Sequence, residues 1–389
     1  MKSLYIPLLI ICSLGIGACK TVSHNGQVSI TGRLIFHDQW VLPEDTKLDN
    51  IPIGGLSGID YDAGRNVYYL VCDDRSDFAP ARFYTAQIHI SGYKIDSVNI
   101  IAATSLKMPD GNTYPSRQIN PALTPDPEAL RYDAANQTMI WSSEGERNLS
   151  AKPPVLSNPS INRIDLQGKF IDSFPVPGQL QMSMAESGSR RNAVLEGIAI
   201  TPSRKYLYAS VEGPLYQDGP EADTVPTESY CRIIRYDLAN RQPAGQFLFK
   251  LHPVADIPYP KNAFRVNGIS DILALDDEKL LVLERSYSTG IRDNTILVSE
   301  LNLKNASDVS NYWSILKKVN SNEIKAPQQL LLFDFRPIAS QVNLIDNVEG
   351  MTFGPDLPNG NKSLVFVVDN NFSNKEETQF YLFEYQSKR

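Results

Sequence analysis

Apolar and polar positions alternate in short runs along most of the chain, and from residue 57 onward one arrangement of them recurs. Five segments share it: SGIDYDAGRNVYYLVCDD from Ser57, EALRYDAANQTMIWSSEG from Glu128, EGIAITPSRKYLYASVEG from Glu196, SDILALDDEKLLVLER from Ser270 and EGMTFGPDLPNGNKSLVFVVDN from Glu349. Each reads as a short apolar strand, a polar turn and a second strand rich in Val, Leu, Tyr or Trp, which is the pattern of a β-hairpin. Their first residues lie 71, 68, 74 and 79 positions apart. A period this regular predicts one supersecondary unit used several times.

Strand-like stretches continue behind the hairpins, at Arg82 to Ile90, Ile161 to Leu166, Arg232 to Leu238 and Thr295 to Leu301, with a fourth strand after some of them, as at Gln246 to Leu251. Four antiparallel strands per unit, arranged radially, leave only short edges, so the expected fold is all-β: a β-propeller of five four-stranded blades. A sixth blade is expected only if the segment from Asn302 to Val348 holds one, and Asn311 to Val319 within it reads as a short helix. The last unit ends soon after its third strand, Gln379 to Tyr385, so Thr31 to Val41 is expected to supply the outer strand and close the ring.

The start of the chain bears on location. Lys2, the apolar stretch Leu8 to Ile16 and the sequence Ile16-Gly17-Ala18-Cys19 have the layout of a lipoprotein signal, in which Cys19 is acylated and becomes the first mature residue. The division that follows is a signal peptide at 1–18, a tether at 19–30 and one propeller domain at 31–389. No later run approaches the roughly 18 apolar residues of a membrane span, so lipid alone is expected to hold the protein to the cell envelope. Lys20 stands where a retention signal would carry aspartate, so the expected location is the outer membrane if the cell is Gram-negative, or a periplasm-facing membrane.

The net charge of −7 becomes −8 once Lys2 is removed, and an acidic body argues against nucleic acid as a partner. Cys72 and Cys231 sit in apolar strand-like surroundings that suit a disulfide or two separate buried thiols equally. Oligomeric state leaves no trace in the pattern.

Candidate chemistry follows from where the repeats put acids. Ser57, Glu128, Glu196, Ser270 with Asp271, and Glu349 begin the first strands; Asp73 with Asp74, Glu144, Glu212, Glu284 and Asp369 end the second. In an antiparallel hairpin the start of one strand lies beside the end of the next, so both sets share one face. If the first strands line the channel, a ring of carboxylates surrounds its mouth. Such groups resist joint ionisation without a counter-ion. Oxygen ligands, with only four histidines in the chain, favour calcium or magnesium over zinc.

Glu128, Glu196, Glu349, Asp73 and Asp369 are the expected metal ligands, and His24, His37, His89 and His252 fall outside the repeats and receive no role. Arginines near the acids, such as Arg75, Arg147 and Arg285, are alternative counter-ions or anion ligands. Salt bridging between blades would satisfy the same acids without any ligand. The long loops on this face, including Ala103 to Pro127 and Pro253 to Gly268, are expected to wall a pocket above the channel.

The phrases GGLSGIDYD at 54–62, DDR at 73–75 with ARFY at 81–84, DPEAL at 126–130, WSSEG at 141–145, LEGIAITP at 195–202, SDILALDDEKLLVLER at 270–285 and NVEGMTFGPDLPNGNKSLVFVVDNNF at 347–372 occur in this order. Together they resemble the phytase-like domain family, also described as esterase-like activity of phytase. The resemblance implies an exported, propeller-like domain with phosphate-ester or carboxylic-ester hydrolase activity. It does not name the substrate. The longer acidic signatures of the calcium-dependent propeller phytases have no close copy here, and the RHGxRxP pattern of histidine acid phosphatases is absent.

Cys231-Arg232 lacks the spacing of a cysteine-phosphatase loop. Gly55-Leu56-Ser57-Gly58 has Ile59 where a nucleophile elbow needs glycine, and it precedes its strand where an elbow follows one, so Ser57 reads as a rim hydroxyl. The reading that fits best is a metal-assisted phosphoesterase acting on a small phosphate ester or ester, with Arg75, Arg82 and Arg285 neutralising the substrate. The alternatives are a non-enzymatic binding propeller of the envelope and a calcium-dependent hydrolase of lactones or carboxylic esters.

Overall fold

The structure is a computed structural model in which residues 32–387 are described; the segments expected to be signal peptide and tether, with Cys19 and His24, lie outside the described residues. Five four-stranded antiparallel sheets follow one another along the chain. Blade 1 is built from Leu56–Asp62, Val67–Cys72, Arg82–Ser91 and Lys94–Ser105, and blade 2 from Pro127–Asp133, Thr138–Ser143, Ser160–Asp165 and Phe170–Phe174. Blade 3 comprises Leu195–Ile200, Tyr206–Val211, Tyr230–Asp237 and Pro243–Lys250, and blade 4 Arg265–Ala274, Lys279–Ser288, Thr295–Asn302 and Gln328–Asp334. Blade 5 takes Asn347–Asp356, Lys362–Asp369 and Gln379–Ser387 from the end of the chain and Gly32–Val41 from its beginning. The first strands of successive blades touch around the ring, blade 5 meeting blade 1. This is a β-propeller, closed by the strand expected to close it.

The ring has five blades among the described residues. The segment after Asn302 holds no further blade: it contributes one short helix, Leu316–Asn320, and then the outer strand of blade 4. Val309, Ile315 and Ile324 of this segment pack on Tyr230 and Leu248, so the excursion covers the outer edge of blade 3. An exposed strand edge is thereby protected.

Period-2 alternation puts one side of each strand into the seam toward the preceding blade and the other toward the next. Five separate apolar clusters result, one per seam. Between blades 1 and 2, for example, Tyr69, Val71 and Phe83 meet Leu130, Met139 and Trp141. Near the axis the backbones crowd. A Cβ on Gly350 would stand 3.0 Å from the Cα of Gly58, so both positions are held to glycine by proximity. Hairpin tips are set by local chemistry: the Asp62 carboxylate accepts from the backbone N–H groups of Gly64 and Arg65, and Asn66 completes the turn at φ 53°.

The channel is closed below the mouth. Arg131 of blade 2 donates to the Ile59 carbonyl of blade 1 at 2.8 Å, to both carboxylate oxygens of Asp271 in blade 4 at 2.9 and 2.7 Å, and to the Met351 carbonyl of blade 5 at 3.3 Å. Asp271 in turn accepts from the Met351 N–H. One buried ion pair therefore fastens four blades at the axis. Cys72 and Cys231 are free thiols in different seams, which decides between the two expectations for them.

Candidate active site at the channel mouth

Each first strand carries a β-bulge at the same place. Leu56 pairs with Cys72 and Gly58 with Val71, leaving Ser57 without an opposite residue; the register also slips between Pro127 and Leu130, Leu195 and Gly197, Ile269 and Asp271, and Val348 and Gly350. The residues released are Ser57, Glu128 with Ala129, Glu196, Ser270 and Glu349. A bulge re-aims the side chain that it frees. In three blades that side chain is a glutamate, and Glu128, Glu196 and Glu349 all line one cavity of about 470 Å³ at the mouth.

The acids that end the second strands complete the group. Asp73 and Glu212 line the same cavity, while Asp369 stands behind Glu349, bridged to it through the Asn347 amide. Glu144 lies between blades 2 and 3, where the Val194 N–H donates to it at 2.6 Å. Carboxylate oxygens of Asp126, Glu128 and Glu144 lie within 4.8 Å of one another, as do those of Glu144, Glu196 and Glu212. Two buried triads thus share Glu144. Glu284, the corresponding acid of blade 4, is occupied otherwise, accepting from the backbone N–H of His252 and the side chain of Asn267 and pairing with the His252 ring at 2.7 Å.

Burial is the main force on the protonation of this group, and like charges add to it. Glu349 is pushed up to about 8 and Glu212 to about 7, both chiefly by desolvation, with Asp369 opposing ionisation of Glu349 and Arg285 favouring that of both. Asp126 rises to about 6 for the same reason, held back by Arg75. Asp73, Glu128, Glu144 and Glu196 are raised well above the carboxylate range, by burial first and neighbouring acids second. The arginines present leave an excess of acid.

Arg285 lines the cavity between Glu212 and Glu349, at 3.4 and 3.6 Å, and its Nε has no hydrogen-bond partner among the described residues. Arg75 sits behind the triad on Asp126 and Glu146, at 3.3 and 3.1 Å. Arg82 requires a correction. It is 2% exposed, pairs with Asp74 at 2.5 Å and bonds the Tyr84 hydroxyl, so it braces the loop after the second strand of blade 1 and does not face the cavity. Arg147 does not pair with Glu144; it lies 4.9 Å from the Tyr216 ring centroid and donates to the Ser183 carbonyl.

Asp126 belongs to the site but was not among the expected ligands. Its signal was the spacing in Asp126-Pro127-Glu128, which puts two carboxylates on one side of an extended chain. Ser57 is 3% exposed and its Oγ has no partner among the described residues.

With this geometry in place, kinship can be read. A sequence model of the family described as Phytase-like, esterase-like activity of phytase, matches residues 51–372. The chain belongs to the phytase-like family. The match spans all five inner hairpins and hence every acid of the two triads, together with Asp73, Glu349 and Asp369. No curated protein matches this phytase-like chain.

Solved structures similar to it include an endo-arabinase from Bacteroides thetaiotaomicron, 12% identical, with TM-score 0.42 and covering 90% of this chain and 98% of that one. An α-L-arabinofuranosidase from Lactobacillus brevis is 10% identical, with TM-score 0.42 and coverage of 87% and 93%. A glycoside hydrolase from Parabacteroides distasonis is 10% identical, with TM-score 0.42 and coverage of 94% and 95%.

Proposed function

We propose that this phytase-like propeller is a divalent-cation-assisted ester hydrolase that acts on phosphate esters at the channel mouth. The observation that carries the reading is the pair of buried carboxylate triads joined at Glu144. An all-oxygen donor set with surplus negative charge fits a hard cation, calcium before the others. Asp126, Glu128, Glu144, Glu196 and Glu212 would hold it. When bound, it would supply Lewis acidity to a phosphoryl oxygen and to the attacking water.

The chain's own groups do the rest. Arg285, positioned by Glu212 and Glu349, presents a guanidinium to the cavity that suits a phosphate oxygen. Glu349 and Asp369 balance its charge. The Arg131–Asp271 plug shuts the channel beneath, so substrate enters and product leaves by the mouth.

Replacing Glu144 by Gln tests this directly. Calcium affinity, measured calorimetrically on the purified protein, is expected to fall on the order of 100-fold, as sites of this kind are tuned by ligand charge. Hydrolysis of phosphate esters by the parent protein is expected to stop in a chelator. Unchanged affinity would remove the triads from the reading. Cation binding with no turnover of any phosphate or carboxylic ester would make the molecule a ligand-binding propeller instead.

The envelope location belongs to the same proposal. Gly32 pairs with Ser387 and Val41 with Gln379, so the closing strand starts at the end of the ring remote from Asp369 and the mouth. Cys19→Ser is expected to move the protein from the membrane fraction to the soluble one; persistence in the membrane would refute lipid anchoring.

A further inference from the structure

With the two triads set apart, the mouth still holds more negative charge than it neutralises. Eight carboxylates and one basic side chain, Arg285, line the cavity among the described residues. Asp126, Glu128, Glu196 and Glu212 belong to the triads, and Arg285 stands between Glu212 and Glu349. Asp73 is left on blade 1, and Asp346 and Glu376 are left on the loops of blade 5. The Oδ2 of Asp346 is buried without a hydrogen-bond partner among the described residues. Burial first, and Glu376 second, push this carboxyl up to about 7. Arg292, in the neighbouring loop of blade 4, is committed to Asp293 and the Asn343 carbonyl, and Lys375 lines a separate pocket.

Beside Asp346 lies an acceptor that is not acidic. The Asn294 N–H donates to the Ile345 carbonyl at 2.7 Å and the Ile345 N–H donates to Asp293 at 3.2 Å, so the loops carrying Asn294 and Asp346 are fastened side by side. Asn294 is 8% exposed and lines the cavity, and its side-chain amide makes no hydrogen bond among the described residues. A buried amide left without a partner is costly, and this one gains a partner only from what enters the cavity. Tyr287 follows Arg285 by two residues on one strand, so alternation puts both on one face, and both line the cavity. The Phe264 ring, on the same wall, lies 6.0 Å from that of Tyr287. A ligand that reaches from Arg285 along this wall passes aromatic rings, whose faces attract ammonium groups.

We infer that the mouth takes phosphate monoesters of amino alcohols, with the phosphoryl group on Arg285 and the protonated amine against Asp346, Glu376 and the Asn294 Oδ1. The inference rests on the hydrolase reading above and narrows it. Such a substrate carries both signs of charge, and each meets its opposite in the cavity. In the reaction a water oxygen bonds to phosphorus, the bond from phosphorus to the ester oxygen breaks, and that oxygen takes one of the water's protons, giving the free amino alcohol and inorganic phosphate. An alkyl phosphate of the same length leaves Asp346 and Asn294 without a partner. A highly phosphorylated polyol such as inositol hexakisphosphate finds one arginine, and its remaining phosphates lie against uncompensated carboxylates.

The test compares 2-aminoethyl and 4-aminobutyl phosphate with their amine-free counterparts, propyl and pentyl phosphate, and with inositol hexakisphosphate. Binding is measured by calorimetry on the full mature protein with calcium, and turnover by release of inorganic phosphate. The tighter of the two aminoalkyl phosphates is expected to bind at least about tenfold better than its counterpart, the order for one hydrogen-bonded charge pair. Asp346→Asn keeps the shape, removes the charge and is expected to bring that ratio close to one. Asn294→Ala is expected to lower it about fivefold, the order for one hydrogen bond. Equal binding within both pairs by the parent protein, an unchanged ratio in Asp346→Asn, or tighter binding of inositol hexakisphosphate overturns the inference and leaves the hydrolase reading standing. Preferential binding of the aminoalkyl phosphates with no phosphate released from any ester sinks the hydrolase reading and leaves the amine subsite standing.

Discussion

Replacing Arg131 by alanine is expected to lower the stability of the folded ring by about 3–5 kcal/mol, the cost typical of leaving one partner of a buried ion pair alone. Arg131 and Asp271 are each almost fully buried, and the pair is joined to carbonyls of blades 1, 4 and 5. Loss of the guanidinium strands a carboxylate in a closed channel and releases three backbone acceptors at the axis. Urea unfolding of the parent and variant gives the difference. The double variant Arg131→Met with Asp271→Leu is expected to recover most of it, because no charge is then left buried. A loss below about 1 kcal/mol for the single variant would show that water reaches Asp271 and that the plug is not closed.

Without divalent cations the protein is expected to lose stability steadily as pH rises from about 5 to above 8. The mouth carboxylates retain protons in the folded state that the unfolded chain has already released: Asp126 and Asp369 near 6, Glu212 near 7 and Glu349 near 8, with Asp73, Glu128, Glu144 and Glu196 also raised. A raised folded-state value means that stability is fully present below the ordinary carboxylate range and is lost as pH passes through the folded-state value. Each proton retained contributes a slope of about 1.4 kcal/mol per pH unit within its window. Calcium should reverse the trend, since coordination uses the ionised form and strengthens as pH rises. Thermal unfolding in chelator and in excess calcium across this range checks both signs. A flat profile in chelator would mean that arginines already neutralise the mouth.

The two expectations concern different depths of one axis. The ion pair at the plug is one arginine against one aspartate, with a single guanidinium nitrogen donating to both Asp271 oxygens and the Met351 N–H donating to the same carboxylate; burial still pushes Asp271 up to about 6, against Arg131. The mouth is unbalanced, with Arg285 and Arg75 facing many more acids. A ring that needed these acids only as struts would pair them as it pairs Asp271. Glu284 shows what such pairing looks like, held by His252 and Asn267.

Much of this was legible in the chain itself. The recurrence of hairpins at 68 to 79 residues announced the ring, because a repeated strand pattern with no helical stretch between copies has few other ways to bury both faces of its sheets. The closing strand followed from counting: the last unit ran out of residues and the first had strand to spare. Convergence of Glu128, Glu196, Glu349 and Asp73 on one mouth followed from hairpin geometry.

What stayed hidden needed contacts between residues far apart in sequence. Arg82 and Arg75 both follow rim acids, yet Arg82 turns inward to Asp74 and only position in space separates them. His252 lies 32 residues before Glu284, and nothing in either neighbourhood marks the pair.

The sequence by itself determined the repeated unit, the all-β ring and the face on which its acids gather, because strand alternation and hairpin direction are local properties that survive without knowledge of neighbours. Only the tertiary structure decided which acids share a cation-sized space and which arginines are already committed. Bulges shift each first strand by a residue without altering its apolar pattern, and electrostatic partners are chosen across seams 70 to 140 residues apart, where distance along the chain carries no information about distance in space.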